Sequence, residues 1–403
     1  MKTPLFSVLI PTKGRSFLIP NAIRSVLQQT FQDFEVVLID NDDGDATRQA
    51  AAGFTDPRFR YVRSGNRSMP DNWDFAFDQA RAEYVCLIED KQALKRHALE
   101  RLAIEVERHK PQSVRWLNDF FDDLTNTPRV WKSEGNNQAE FRTSDEILQS
   151  FVTRPRRDYV RLLPIPHFGC IHQSLLRKIK NGPMGRLCPP VSPDYTLAFL
   201  QLAYAEAVLH IYEALVVFVT KKHSNGQASI LKLPAAQAFT KELGGKESIY
   251  YDWVPVKART IPGSIYNDYL HVQSIVQERL ARHTLSWPMY FSECYLAMQL
   301  SVSFGADMTV ELAEWNRAFA EQPAEVQQAA REIIGKESGG PWIKRAIKAT
   351  GNALGVPAME RTVKAFVRKR ITKDPAWQFQ DAMSYIEGEY QARQSAQGES
   401  RSQ

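Results

Sequence analysis

The sequence predicts an α/β fold: a mixed, mostly parallel sheet with helices on both faces, followed by a helical C-terminal region. Three observations carry this. Apolar runs at 6–10, 34–39 and 84–88 each lead into polar or acidic residues. Stretches with apolar side chains at helical spacing separate those runs. Beyond about residue 230 the strand-like runs give way to long helical periodicity. Strands that alternate with helices imply a largely parallel sheet covered on both faces, and the strand ends of such a sheet line its ligand crevice.

The elements follow in order. Phe6 to Ile10 reads as a buried strand, and Leu18, Ala22, Ile23, Val26 and Leu27 then fall on one helical face. Phe34 to Ile39 is the second strand, Asp45 caps a short helix through Ala52, and Phe59 to Val62 is the third strand. Ser68-Met69-Pro70-Asp71 opens a helix, because serine caps the exposed amides and proline suits the first turn. Trp73 and Phe77, four residues apart on that helix, read as core packing. Tyr84 to Ile88 is a fourth strand, and Glu89-Asp90-Lys91 follows at once. A helix bearing Leu99, Leu102, Ile104 and Val106 precedes a short strand over Val114 to Leu117. Residues 120–165 read as irregular and polar, an insertion or an acceptor-side loop, and 214–219 (ALVVFV) reads as another strand. In the later region Tyr269, Val272, Ile275, Val276 and Leu280 form one stripe, and Met289 to Phe304 is an apolar helix.

This divides the chain into 1–225, a helical region 226–338 that would serve as acceptor platform or oligomer interface, basic amphipathic helices over 339–390, and a polar tail at 391–403 expected to be disordered. Within the third part, 340–371 sets Trp342, Ile343, Ile347, Val363 and Phe366 beside lysines and arginines. Packing on the protein explains that pattern. So does lying on an anionic membrane surface.

Composition narrows the function. A net charge of +5 over 403 residues is too small to indicate nucleic acid. The four cysteines Cys86, Cys170, Cys188 and Cys294 lack metal-ligand spacing and fit a reducing compartment. No apolar stretch approaches the ~18 residues of a membrane span, and the start lacks the apolar core of a signal peptide. The expected location is cytoplasmic, with peripheral attachment at the inner face of the membrane if the basic region binds lipid.

Five segments together resemble the family 2 glycosyltransferases of the GT-A fold: SVLIPTKGR at 7–15, VVLIDNDDGD at 36–45, MPDNWDFAF at 69–77, YVCLIEDK at 84–91 and SPDY at 192–195, with HSNG at 223–226 in keeping. The resemblance covers about 1–225. It implies an inverting transfer of a sugar from a nucleotide-diphosphate donor to a hydroxyl of a glycan or lipid-linked glycan, as in the building of a surface polysaccharide or lipopolysaccharide. In this frame Pro11 and Thr12 shape the nucleoside pocket, Asp40 accepts from a base N–H, and Asn41, Asn72 and Glu89 are further donor-side candidates. Asp90 touches the sugar nucleotide. Arg15 and Arg67 could reach phosphate, since a guanidinium matches it bidentately. Asp194 is the expected general base, which would remove the acceptor proton as its oxygen attacks; the plainer reading of Asp194 is a helix cap. His167 and Tyr195 are acceptor-side candidates, though structural packing explains both.

One position departs from the family. Where an acidic cluster usually supplies a ligand for Mn²⁺ or Mg²⁺, this chain has Lys91. A charged ammonium has no lone pair to offer a metal. Transfer without a metal is one reading, with Lys91 and His223 steadying the diphosphate and Lys221 and Lys222 at hand. A non-catalytic nucleotide-sugar-binding or scaffold protein is the alternative. A third reading keeps Mn²⁺ or Mg²⁺ on Asp90, Glu89 and His223. No other cofactor is expected.

Overall fold

The computed structural model describes residues 3–122, 129–219, 228–229, 232, 234–338 and 375–401. His223, Lys221, Lys222 and the HSNG string lie outside the described residues, as does the basic amphipathic stretch 340–371.

Strands β1 (Phe6–Thr12), β2 (Phe34–Asp40), β3 (Phe59–Arg63) and β4 (Tyr84–Leu87) run parallel in the order β3-β2-β1-β4. The sheet continues through β9 (Gly169–His172), β6 (Ser113–Asp122), β10 (Ala207–Phe218) and β5 (Gln92–Leu94), with β7 (Arg129–Trp131) on β6 and β8 (Ala139–Thr143) on β10. Six of these ten strands point one way; β5, β7, β8 and β9 oppose them. This is the mixed, mostly parallel sheet with helices that the sequence predicts, with a helical region after it.

Alternation along the strands builds two cores, one on each face. Leu9, Val37 and Ile39 face one core, with Trp73 and Phe77 of α3 (Met69–Asp78). Phe6, Val8, Ile10, Val36 and Leu38 face the other, with α1 (Ile19–Leu27) and α4 (Ala98–His109). Fully burying apolar side chains of this size contributes ~1.5–3 kcal/mol each. In α4, Leu99, Leu102 and Val106 are buried as expected, but Ile104 is 55% exposed because it falls on the outer face of the helix.

The first core extends into the helical region, so the two are packed as one body. Phe151 and Phe199 meet Tyr269 with ring centroids 4.9 and 5.1 Å away. Tyr269 belongs to the helix Ile261–Ile275, which packs against α8 (Pro193–Tyr204) and against the helix Trp287–Ser303.

Two expectations need correction. Residues 120–165 are not largely irregular: β7, β8 and α5 (Ser144–Thr153) lie there, and α5 buries Ile147, Leu148, Phe151 and Val152. Thr143 and Glu146 form a reciprocal capping box at its start, which satisfies two orphan amides. The tail is not disordered from 391 either: one helix runs Pro375–Arg401. Ala382 and Ile386 enter the second core, and Glu387, Glu389 and Arg393 pair with Arg96, Lys95 and Glu213.

Candidate active site

The C-terminal ends of the parallel strands collect the sequence-predicted residues at one edge of the sheet. Thr12 and Asp40 are register partners at the ends of β1 and β2, and Ile88 continues β4 by donating its amide to Leu9. Pro11 lies in the same β1 end, paired with Ile39.

Asp90 is fully buried just past β4. Thr12 Oγ1 donates to its Oδ2 at 2.7 Å, and Arg15 Nε lies 2.8 Å from the same oxygen. Oδ1 has no partner among the described residues. Buried polar atoms are almost always bonded, so this oxygen is available as an acceptor. Burial raises the Asp90 pKa against the charge of Arg15 and the Thr12 hydrogen bond.

Lys91 is 4% exposed. Its ammonium lies 3.2 Å from Glu89 Oε1 and 5.0 Å from the Phe218 ring centroid at the end of β10. Burial works to raise the Glu89 pKa, but Lys91, His167 and Arg15 outweigh it and the pKa falls. Glu89 is therefore an anion at neutral pH.

His167 is the middle residue of the turn Pro166–Phe168 that leads into the antiparallel strand β9, and its carbonyl accepts from Gln92 Nε2 at 3.1 Å. Buried Arg115 fixes the segment before that turn by donating to the carbonyls of Val160, Leu163 and Trp116 at 2.9, 2.8 and 2.7 Å. Gly169 is required at the start of β9, since a Cβ there would sit 2.3 Å from the Val114 carbonyl oxygen. Burial lowers the His167 pKa although Glu89 and Asp194 pull it up. Its Nδ1 has no partner among the described residues.

Asp194 is the second residue of α8, and Ser192 occupies the cap position. Asp194 is thus not the helix cap that the plainer reading offered. Burial raises its pKa; the proximity of His167 opposes that and Glu89 reinforces it. Glu89 and Asp194 both act on His167, and His167 and Glu89 both act on Asp194, which groups the three side chains in one electrostatic cluster, with Lys91 acting on Glu89 and His167.

The segment leading into α8 is held by two aspartates. Asp74 on α3 accepts from the amides of Leu187 and Cys188, both at 2.9 Å. Asp268, on the helix Ile261–Ile275, accepts from the amides of Val191 and Ser192 at 3.2 and 3.0 Å. Asp268 is fully buried, and burial pushes its pKa up to about 7 against those hydrogen bonds. Neither aspartate stands out in the sequence as a site residue. The signal was present at 267–268, where Asn-Asp interrupts an otherwise apolar helix face, because buried polar residues need a partner.

Other candidates are placed in supporting positions. Asp40 is fully buried; Tyr61 donates to its Oδ2 at 2.5 Å and the Asp42 amide to its Oδ1 at 2.9 Å. Asn41 accepts from the Arg67 amide at 2.7 Å and donates to the Arg67 carbonyl at 2.8 Å, clamping that loop. Asn72 Oδ1 accepts from Ser64 Oγ at 2.6 Å. Arg67 donates to the Ser64 carbonyl and lies 4.7 Å over the Phe75 ring. Tyr195 points into the core, 7% exposed, with Arg156 donating to its hydroxyl at 3.1 Å. In each case the polar group has a partner within the fold.

Comparison with known proteins places this geometry. Residues 7–179 match the model of the family described as Glycosyl transferase family 2. The resemblance to family 2 expected from the sequence therefore holds over that segment. The chain is 31% identical over 103 residues to GalNAc(5)-diNAcBac-PP-undecaprenol beta-1,3-glucosyltransferase of Campylobacter jejuni, covering 25% of this chain and 33% of the relative. It is 27% identical over 118 residues to a PGL/p-HBAD biosynthesis glycosyltransferase of Mycobacterium bovis, covering 28% and 46%. The chain thus spans a third to under half the length of these curated relatives. Among solved structures, S. aureus TarS 1-349 superposes with a TM-score of 0.48 at 16% identity, covering 81% of this chain and 91% of that one.

Proposed function

We propose that this protein is an inverting glycosyltransferase that moves a sugar from a nucleotide-diphosphate donor to a hydroxyl of a glycan acceptor, without a metal ion. The observation that carries the reading is the cluster at the sheet edge: Asp90 with an unpartnered buried oxygen, Lys91 beside it, and Asp194 at the start of α8.

The donor lies across the ends of β1, β2 and β4. Asp90 Oδ1 accepts a hydroxyl of the sugar nucleotide, while Thr12 and Arg15 hold the other oxygen and fix the carboxylate. The acceptor oxygen attacks the anomeric carbon as Asp194 takes its proton. The bond from that carbon to the diphosphate breaks, and the nucleoside diphosphate leaves with the electron pair. Attack from the face opposite the leaving group inverts the centre. Burial raises the Asp194 pKa, which makes it a stronger base once ionised.

A divalent cation does not fit the described residues here. Among them no group of three or more His, Cys, Asp or Glu side chains is placed to hold a metal. Asp90 offers one open oxygen, and Glu89 is already paired with the Lys91 ammonium. Charge developing on the diphosphate is then met by Lys91 and Arg15, fixed cations that need no reorganisation in the transition state.

The acceptor is a glycan, and a lipid-linked one suits the Campylobacter relative, whose name carries PP-undecaprenol. No described helix is long and apolar enough to cross a membrane. We infer a cytoplasmic protein, attached peripherally at the inner face of the membrane only if the basic 340–371 region binds lipid. Replacing Asp194 with Asn tests the reading: donor binding should persist and turnover should fall by orders of magnitude. Unchanged turnover would remove Asp194 from the chemistry.

A further inference from the structure

His271, on the helix that anchors the base-bearing segment, forms an aromatic pair with Trp253 of the turn before it. Trp253 is 49% exposed, which leaves much of its indole face open to solvent. Its ring stacks on His271 with centroids 5.8 Å apart and planes 21° apart.

Nothing about this pair is loose. Asn267, 2% exposed, accepts from the Trp253 amide at 2.9 Å and donates to the Ile249 carbonyl at 2.9 Å, so the 249–253 turn is clamped to the helix. One turn further on, His271 bonds to the Pro190 backbone. Pro190 lies in the same segment that Asp268 grips at Val191 and Ser192, four residues before Asp194. Four residues reach at most ~14 Å even when extended. The aromatic pair therefore sits within a few sugar lengths of the proposed base, on the side formed by the helical region.

We infer that Trp253, backed by His271, is a platform that receives a pyranose ring of the acceptor glycan, one or more residues away from the hydroxyl being glycosylated. The apolar C–H face of a pyranose matches an indole face held at fixed height. The inference rests on the glycosyltransferase reading and adds to it the location and chemistry of an acceptor subsite.

The test uses the full chain and four tetrasaccharide probes: cellotetraose, maltotetraose, chitotetraose and mannotetraose. Saturation-transfer NMR and calorimetry are run on wild type, Trp253→Ala and Trp253→Phe. At least one probe should bind wild type through its ring C–H protons. Trp253→Ala should weaken that binding roughly tenfold or more, and Trp253→Phe should restore part of it. Uridine, guanosine and thymidine diphosphates are titrated into the same samples. If a diphosphate binds but no tetrasaccharide does, or Trp253→Ala leaves tetrasaccharide affinity unchanged, the platform is wrong while the donor reading stands. If Trp253→Ala alters only the oligomeric state, the surface is a subunit interface and the inference fails. Absence of diphosphate binding in all three proteins would remove the glycosyltransferase reading itself.

Discussion

Asp268→Asn removes one carboxylate oxygen from the joint between the helical region and the base-bearing helix. In wild type both oxygens of Asp268 are used, on the amides of Val191 and Ser192 at 3.2 and 3.0 Å, and the side chain is fully buried. An asparagine in the same place accepts from one amide and turns an N–H toward the other. Leaving one buried amide unmatched costs ~1–3 kcal/mol. Asp268→Ala leaves both unmatched, for about twice that, plus a small cavity. The functional effect should be larger than the loss of stability suggests. A shift of about 1 Å in a reacting group costs on the order of 10²-fold in rate, and Asp194 lies two residues beyond Ser192.

The pH dependence gives this prediction a second readout. Burial raises the Asp268 pKa to about 7 from 3.8. The unfolded chain releases this proton near its ordinary value, while the folded chain keeps it until about 7. Wild type should therefore lose stability as pH rises through that window, with an upper bound of about 4 kcal/mol from a shift of this size. Asp268→Asn, which does not titrate, should lack that slope. Asp194 faces Asp268 and contributes to its raised value, and His271 is the titratable group one turn along. Urea denaturation at a series of pH values, beside initial rates of donor turnover, tests both parts. An Asp268→Asn protein with wild-type kcat and the wild-type pH slope in stability would refute the reasoning.

Other outcomes follow from the site. Asp194→Asn should lower kcat by about 10²–10⁴-fold, the range for losing a general base, with nucleoside diphosphate affinity within about twofold of wild type by calorimetry. Lys91→Met should lower turnover in EDTA by about 10²–10³-fold, as for loss of one preorganised charge-stabilising group. Lys91→Asp should gain a dependence on Mn²⁺ if that position is the family's metal site. The rate should rise with pH on its acid limb as Asp194 ionises, and that limb should lie above the range of an ordinary aspartate because burial raises the Asp194 pKa; a rate flat down to pH 4 would contradict this.

Much of the donor side was readable in the sequence because β1, β2 and β4 are buried on both faces and so appear as continuous apolar runs. Their polar ends, Thr12, Asp40 and Glu89-Asp90-Lys91, then fall at one edge by topology alone. Helix α5 was passed over although Thr143 and Glu146 spell its capping box, because the polar residues on both sides masked the apolar spacing of Ile147, Leu148 and Phe151. Ile104 counted as core on hydrophobicity, but the helical angle turns it to solvent. The partners of Tyr195 and Asn41, Arg156 and the Arg67 backbone, lie far off in sequence and are visible only in the fold. Asp268 lies 74 residues beyond Asp194, so no local pattern joins the two.

The central claim is that this sheet edge binds a nucleoside diphosphate through Asp90 and Lys91 with no metal. Calorimetric titration of uridine, guanosine and thymidine diphosphates into wild type and Lys91→Met, once in EDTA and once with Mn²⁺, tests it most directly. One nucleotide should bind wild type equally in both conditions and bind Lys91→Met more weakly. Binding to wild type that appears only with Mn²⁺, or binding that is indifferent to Lys91, would contradict the account.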